Sequence, residues 1–261
     1  GGGGRWTADG ANLQLARRGR NLEFAANARL EGAEGLTAPA SLRITTDTRF
    51  QSAVVEFGAE DARPRALFSP AALGPFAGLD APMNATVSIG MDRERGVTLF
   101  EGEAELGRGE AEMAGGEFSL EGGRVHGRYD IESDELIIDQ LSFAGDRTRI
   151  GGEIRVRDVS AIMRAAPNEP AAFDISLPSV RFDVPATFPE PVALSNVRIV
   201  GAVVSSERAI RFTQINAQSG EGALTASARL YWAEAGAGAN RRTRTGLQLN
   251  GQVAGSLDAR D

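Results

Sequence analysis

The amino-acid sequence predicts an all-β protein, built as a long antiparallel meander that is extended rather than compact. In residues 125–158, short strand-like runs follow one another with little but turn residues between them, and apolar and polar residues alternate along each run. A period of two indicates a sheet with one apolar face. Glycine is abundant, at 32 residues, and aromatic residues make up 6% of the chain, which suits many turns and tight bends better than a thick core. With 261 residues, 42% of them hydrophobic, the chain is not a disordered tail.

Further strands are predicted at short, regular intervals. Alternation marks residues 22–30, 42–50, 83–91 and 224–232, and a polar loop at 92–96 leads into another run at 97–100. The apolar positions of these runs include Leu22, Phe24, Leu30, Ile44, Phe50, Val87, Ile89, Leu224 and Leu230, and those of the segment 125–158 include Tyr129 and Ile131. Many others are small, such as Ala26, Ala28, Ala226 and Ala228, which leaves room beside the sheet.

Two segments depart from this pattern towards short helices. Ser69 and Pro70 provide an N-cap and a proline in the first turn of a helix near 69–80, and Asp158 caps a second one near 158–166 that Pro167 ends. Prolines then punctuate the rest of the chain. We therefore predict a β-meander with short helices over residues 1–167 and a continuation of the same sheet over residues 168–261, together forming one domain or two.

The charge distribution argues against a nucleic-acid partner. The formal net charge is −7, whereas phosphate binding relies on clustered positive charge. Two small basic clusters are present, Arg17, Arg18 and Arg20, and Arg241, Arg242 and Arg244. The favoured interpretation is that both are solvated hairpin tips; the other is that they contact anionic lipid head groups.

The residue types needed for catalysis or metal binding are scarce. The chain has no cysteine, and His126, on the polar side of its strand, is the only histidine. A conventional zinc site or a Ser-His-Asp arrangement cannot be assembled around it from any recognisable motif. The glycine pairs, including Gly151 and Gly152, precede no helix that could hold a phosphate, and they are typical of bulges or turns. We therefore expect a protein that is not an enzyme and that binds neither a metal nor a cofactor.

Three segments resemble a known family. GRYDIESDELIIDQLSFAGDRTRIGGEIRVRD at 127–158 resembles the recurring unit of bacterial AsmA-like proteins, in particular of the YhdP-type branch. FSPAALGPFAGLDAPMNATVSIGMDRERG at 68–96 is similar to the segment that precedes this unit in that branch, and the ending, SGEGALTASARLYWAEAG followed by LQLNGQVAGSLDAR, is similar to the way such units close.

The resemblance implies a long, twisted antiparallel sheet curled into an open apolar groove. It also implies a protein of Gram-negative bacteria that is anchored in the inner membrane, projects into the periplasm, and moves phospholipid between the inner and outer membranes to support outer-membrane integrity. Docking proteins at the outer membrane or in the periplasm are expected as further partners. Since the sequence starts with four glycines and no methionine, we expect a fragment, with the membrane anchor outside it.

A lipid groove is also what the residue pattern can support physically. Each methylene removed from water contributes about 0.8 kcal/mol, so an acyl chain crosses an aqueous gap only on a continuous apolar surface. The large apolar residues at alternating positions are the predicted contacts with phospholipid acyl chains: Leu22, Phe24, Leu30, Ile44, Phe50, Val87, Ile89, Tyr129, Ile131, Leu224 and Leu230.

Alternation by itself leaves other architectures open. A closed β-sandwich has the same pattern of alternating apolar residues. The alternative function is therefore a structural scaffold or an adhesin-like surface domain with a closed core.

Overall fold

A computed structural model of the chain describes residues 7–31, 37–64, 78–113, 116–163, 169–183, 190–204, 207, 209–220, 222–234 and 245–256. Sixteen strands belong to one sheet, and every pairing in it is antiparallel. The predicted all-β fold is confirmed.

The strands of the first half are β1 (Thr7–Arg18), β2 (Asn21–Glu31), β3 (Thr37–Asp47), β4 (Ser52–Ala62), β5 (Leu79–Asp80), β6 (Met83–Asp92), β7 (Gly96–Leu106), β8 (Gly109–Met113) and β9 (Gly116–Asp130). Those of the second half are β10 (Glu135–Gly145), β11 (Thr148–Arg157), β12 (Ala171–Phe182), β13 (Val192–Val204), β14 (Ala209–Ser219), β15 (Gly222–Glu234) and β16 (Thr245–Ser256). A helix, α1 (Val159–Met163), lies between β11 and β12.

The sheet is a meander in which neighbours in sequence are neighbours in space. Fourteen strands follow the order β1-β2-β3-β4-β6-β7-β9-β10-β11-β12-β13-β14-β15-β16, while β5 pairs with β8 and β8 pairs with the first part of β9. In the part of the chain that the structure describes, β1 and β16 each pair with one strand, so the sheet is open. The segment between β11 and β12 does not divide it, because the two strands pair along their length, with one register shift between Gly151 and Glu153.

One of the two expected helices is described. α1 begins one residue after Asp158 and falls within the predicted segment 158–166. Of the helix predicted near 69–80, residues 69–77 lie outside the described residues, and Leu79 and Asp80 form β5 instead. This short strand is extended because it pairs with Ala111 and Glu110 of β8.

A single layer of strands leaves the protein with a large accessible surface. That surface is 17638 Å², whereas a compact monomer of 27.5 kDa exposes about 11,000 Å². In the part of the chain that the structure describes, the buried hydrophobic residues are mostly alanines, and a cluster of them joins Ala38, Ala59 and Ala62 beneath Leu30, Phe57 and Met83. The chain therefore has no thick core in its described part.

Alanines show which face of the sheet is the more enclosed, since their exposure does not depend on side-chain length. Ala172, Ala193 and Ala223, which share one face, are exposed, while Ala202 of that face is half-buried and Ala209 is buried. Every described alanine of the opposite face in β2–β15, Ala26, Ala85 and Ala228 among them, is half-buried or buried. The second face carries the apolar residues, so the sheet is an open groove with its apolar side inward, as the resemblance implied.

Candidate functional site

The candidate site is the apolar side of the sheet, called here the apolar face. Directly opposite residues of paired strands project to the same side, so the strand register defines two rows that cross the sheet from β1 to β15. The first row is Leu15, Phe24, Ile44, Val55, Ile89, Phe100, Tyr129, Leu136, Val156, Phe173, Gly201, Phe212 and Ala228. The second row is Leu13, Ala26, Leu42, Phe57, Val87, Gly102, Gly127, Ile138, Ile154, Ile175, Ile199, Ile215 and Ala226.

The rows are long compared with a lipid. Neighbouring strands lie about 4.8 Å apart, so each row follows the sheet for about 58 Å. The hydrocarbon core of a bilayer is about 30 Å thick over two leaflets, which makes one acyl chain about 15 Å long. Neither row contains a charged residue. Each row therefore offers an uninterrupted apolar path about four acyl chains in length.

Nine of the eleven residues predicted to contact lipid lie on the apolar face. Phe24, Ile44, Ile89 and Tyr129 belong to the first row and Val87 to the second. The other four flank the rows on the same face: Leu22, Leu30, Leu224 and Leu230. All nine are half-buried, and their contact with acyl chains stays a prediction.

Phe50 and Ile131 lie in turns beyond the strand ends. Phe50 has φ = 55° and is 67% exposed, and Ile131 is 38% exposed. The alternation that starts in β3 continues to Phe50, but the strand ends at Asp47. The Asp47 carboxylate accepts hydrogen bonds from the backbone N–H groups of Arg49, Gln51 and Ser52, at 2.7, 3.0 and 2.7 Å, and these bonds close the turn.

Glycines on the apolar face were not predicted as part of the site. A Cβ on Gly152 would lie 2.7 Å from Leu177 Cδ2, and a Cβ on Gly201 would lie 2.4 Å from Phe173 Cζ. The Phe173 ring meets Phe212 edge to face, with ring centroids 5.8 Å apart. Large side chains of neighbouring strands thus fill the space that these glycines leave, and they keep the apolar surface continuous.

Tyr129, the last residue but one of β9, is held by its hydroxyl group. Its hydroxyl donates a hydrogen bond to Asp134 Oδ1 at 2.7 Å. The same carboxylate accepts hydrogen bonds from Ser160 N at 2.9 Å and from Ser160 Oγ at 2.6 Å. The β9–β10 turn is therefore tied to α1, which holds the Tyr129 ring in the first row.

The opposite, polar face carries networks of paired charges. Arg198 donates two hydrogen bonds to Asp174, at 2.6 and 3.2 Å, and this guanidinium lowers the pKa of the Asp174 carboxyl. Glu207 accepts hydrogen bonds from both Arg211 and Arg229. The first pair links β12 to β13, and Glu207 links β14 to β15.

His126 lies on the polar face, where it joins three strands. Its Nδ1 is 2.6 Å from Asp139 Oδ1 on β10, and its Nε2 is 3.0 Å from Glu101 Oε1 on β7. A neutral imidazole has one N–H, so only the charged form donates to both carboxylates. The hydrogen bonds to Asp139 and then to Glu101 raise the pKa of His126, and the bond to His126 lowers the pKa of Asp139.

We predict that this cluster stabilises the sheet in a pH-dependent way. The contribution of His126 is fully present below its unfolded-state pKa of 6.5 and is lost as the pH rises through the higher folded-state pKa. The contribution of Asp139 is lost as the pH falls below 3.8 towards its lowered pKa.

The variant His126→Gln tests this prediction. Near pH 6, the unfolding free energy of the wild type should exceed that of His126→Gln by at most about 1 kcal/mol, as measured by urea titration. This difference should shrink above neutrality. A difference that is constant from about pH 5 to pH 9 would contradict the assignment.

Within the described ranges, no group of three or more His, Asp and Glu side chains is arranged to hold a metal ion. Among the described residues, no helix has the length and apolar character needed to cross a membrane.

Comparisons with known proteins identify no relative of this chain. No protein-family model matches it, and neither a curated protein nor a solved structure gives a match.

Proposed function

We propose that this chain binds phospholipid through its acyl chains on the apolar face and carries it across the periplasm between the inner and outer membranes. This transport involves no catalysed reaction. The phospholipid that it delivers supports outer-membrane integrity. The compartment, the inner-membrane anchor and the two membranes come from the resemblance to the AsmA-like family, and binding of acyl chains is supported by the apolar face.

The observation that carries this proposal is the pair of rows crossing an open, single-layered sheet. An acyl chain that leaves a bilayer exposes each methylene to water at a cost of about 0.8 kcal/mol. On the apolar face, the alternating side chains make the apolar contacts that neighbouring lipids make in a bilayer. The open side of the groove leaves the charged head group in water. Because the rows have no charged residue, a lipid meets no desolvation barrier from an ionic group along them.

The alternative function, a scaffold or adhesin-like domain with a closed core, needs a second layer over the apolar face. The accessible surface of 17638 Å² is about 60% above that of a compact monomer of this mass. This excess favours the lipid proposal, because a closed core hides its apolar side from solvent.

Lipid content tests the proposal directly. Protein purified without detergent from a Gram-negative host is expected to retain phospholipid after gel filtration, because the rows are otherwise exposed to water. Mass spectrometry of an organic extract should detect more than one phospholipid per chain, since each row is about four acyl chains long.

Uptake provides the second readout. Protein stripped of lipid should take up fluorescent phospholipid in competition with the unlabelled lipid. Protein that is free of lipid after purification and that also fails to take up the fluorescent lipid would rule out the proposal.

A further inference from the structure

Three hairpin tips at one end of the sheet form a continuous surface. They are the turns β1–β2, β3–β4 and β6–β7. Thr48 N donates a hydrogen bond to Arg20 O, and Arg93 N donates one to Gln51 O, both at 2.9 Å. The backbones of the three tips are therefore joined, and we call the result the arginine tip surface.

Each tip presents one guanidinium that is available to a partner. Arg20, Arg49 and Arg93 are exposed, and within the described residues none of the three has an ion-pair partner. Of the three carboxylates in these tips, Glu94 is exposed, and the other two bind backbone N–H groups of their own turns. Asp47 accepts three backbone N–H bonds, and Asp92 accepts those of Glu94 and Arg95 at 3.0 Å each.

An exposed aromatic ring accompanies the arginines. Phe50 is at the middle tip, next to Arg49, and is 67% exposed. Its backbone is held in a left-handed conformation, with φ = 55°, and its N–H donates to Asp47 O at 3.0 Å. Guanidinium groups pair with phosphate oxygens in a planar fork, and an aromatic ring beside them suits the boundary between head groups and acyl chains.

We propose that the arginine tip surface docks this end of the sheet onto a membrane surface containing anionic phospholipid. Arg20, Arg49 and Arg93 contact lipid phosphates, and the Phe50 ring enters the interface. The apolar face reaches the same end of the strands, where Met91 is 42% and Val97 39% exposed. Docking needs only the tips, so it stands whether or not acyl chains occupy the rows.

Vesicle flotation of the full 261-residue chain tests this proposal. Vesicles of phosphatidylcholine mixed with phosphatidylglycerol should carry the protein, and vesicles of phosphatidylcholine alone should carry far less. The triple variant Arg20→Ser, Arg49→Ser and Arg93→Ser should lower the partition coefficient roughly a hundredfold, at about 1 kcal/mol for each cation near an anionic surface. Binding should also weaken when added salt shortens the Debye length from about 10 Å to about 3 Å.

A second triple variant controls for net charge. Arg29→Ser, Arg108→Ser and Arg181→Ser remove three arginines near the opposite ends of the strands, which are likewise exposed and without an ion-pair partner in the described part of the chain. This variant should keep its binding to the anionic vesicles. Equal loss in both triple variants, or unchanged binding in the first, would overturn the proposal.

The variant Phe50→Asn tests the contribution of the aromatic ring while the three arginines stay in place. Asparagine tolerates a positive φ, so the turn keeps its backbone while the aromatic group is removed. The partition coefficient should fall about tenfold, because part of the burial of a Phe side chain is lost. Binding of Phe50→Asn at the level of the wild type would exclude insertion of the ring.

Discussion

A glutamate at Ile89 is expected to stop phospholipid from passing along the apolar face while the sheet stays folded. Ile89 lies in the first row, between Val55 and Phe100, on a strand in the middle of the first half of the sheet. An acidic side chain in a hydrocarbon environment costs about 3 kcal/mol, which lowers the rate of passage roughly a hundredfold. Transfer of fluorescent phospholipid between donor and acceptor vesicles measures this rate. Leu224→Glu should give a smaller effect, because Leu224 flanks the second row.

A matched control distinguishes a blocked path from added charge. Thr225 follows Leu224 but projects to the polar face, where it is exposed and opposite Asn216. Thr225→Glu should therefore leave transfer unchanged. If it slows transfer as much as Leu224→Glu does, the apolar face is not the path. If Ile89→Glu unfolds the protein, as circular dichroism would show, that face is a core and the closed-core alternative is favoured.

The division of residues between the two faces could be predicted from the sequence wherever the strands are regular. In β2, β3 and β6, alternation alone places Leu22, Phe24, Ile44, Val87 and Ile89 on one face. Alternation fails at the bulges. Ile138 and Leu141 are three residues apart and yet share the apolar face, because the register shifts between them. Phe212 and Ile215 show the same spacing for the same reason.

It was harder to predict where the apolar face ends, and which glycines belong to it, than to predict which side of each strand is apolar. Phe50 continues the alternation of β3, and only the hydrogen bonds that Asp47 accepts from the following turn end that strand. Glycine is neither strongly apolar nor strongly polar, so the alternation of apolar and polar residues could not assign Gly152 and Gly201 to the apolar face. Their place follows from the Leu177 and Phe173 side chains that cover them.

Two adjacent glycines of β11 give the largest stability contrast that we expect in the sheet. Gly151→Ala should be nearly neutral, because its nearest contact is Leu141 O at 3.7 Å from the new Cβ. Gly152→Ala should be strongly destabilising, because its Cβ would lie 2.2 Å from Ser176 O and 2.7 Å from Leu177 Cδ2. The first of these contacts is with backbone, which cannot move without breaking the β11–β12 ladder.

The size of this contrast follows from the cost of overpacking. A side chain forced into a filled space costs about 1–3 kcal/mol, and more when backbone must shift. At about 2–4 °C for each kcal/mol in a chain of this size, Gly152→Ala should lower the melting temperature by several degrees. Gly151→Ala should stay within about 0.5 kcal/mol of the wild type, and differential scanning calorimetry of both variants measures the difference.

The pair also tests whether the apolar face is continuous across β11 and β12. Leu177 of β12 reaches over Gly152. Gly152 is paired with Leu141 of β10 and Leu177 is paired with Val197 of β13, so the Leu177 side chain covers the one position between these two residues where a strand has no side chain of its own. Leu177→Ala removes the side-chain clash and should recover part of the stability lost in Gly152→Ala, but not all of it, since the contact with Ser176 O persists. Equal stability of Gly151→Ala and Gly152→Ala would mean that Leu177 does not cover this glycine, and the apolar face would then be interrupted at β11.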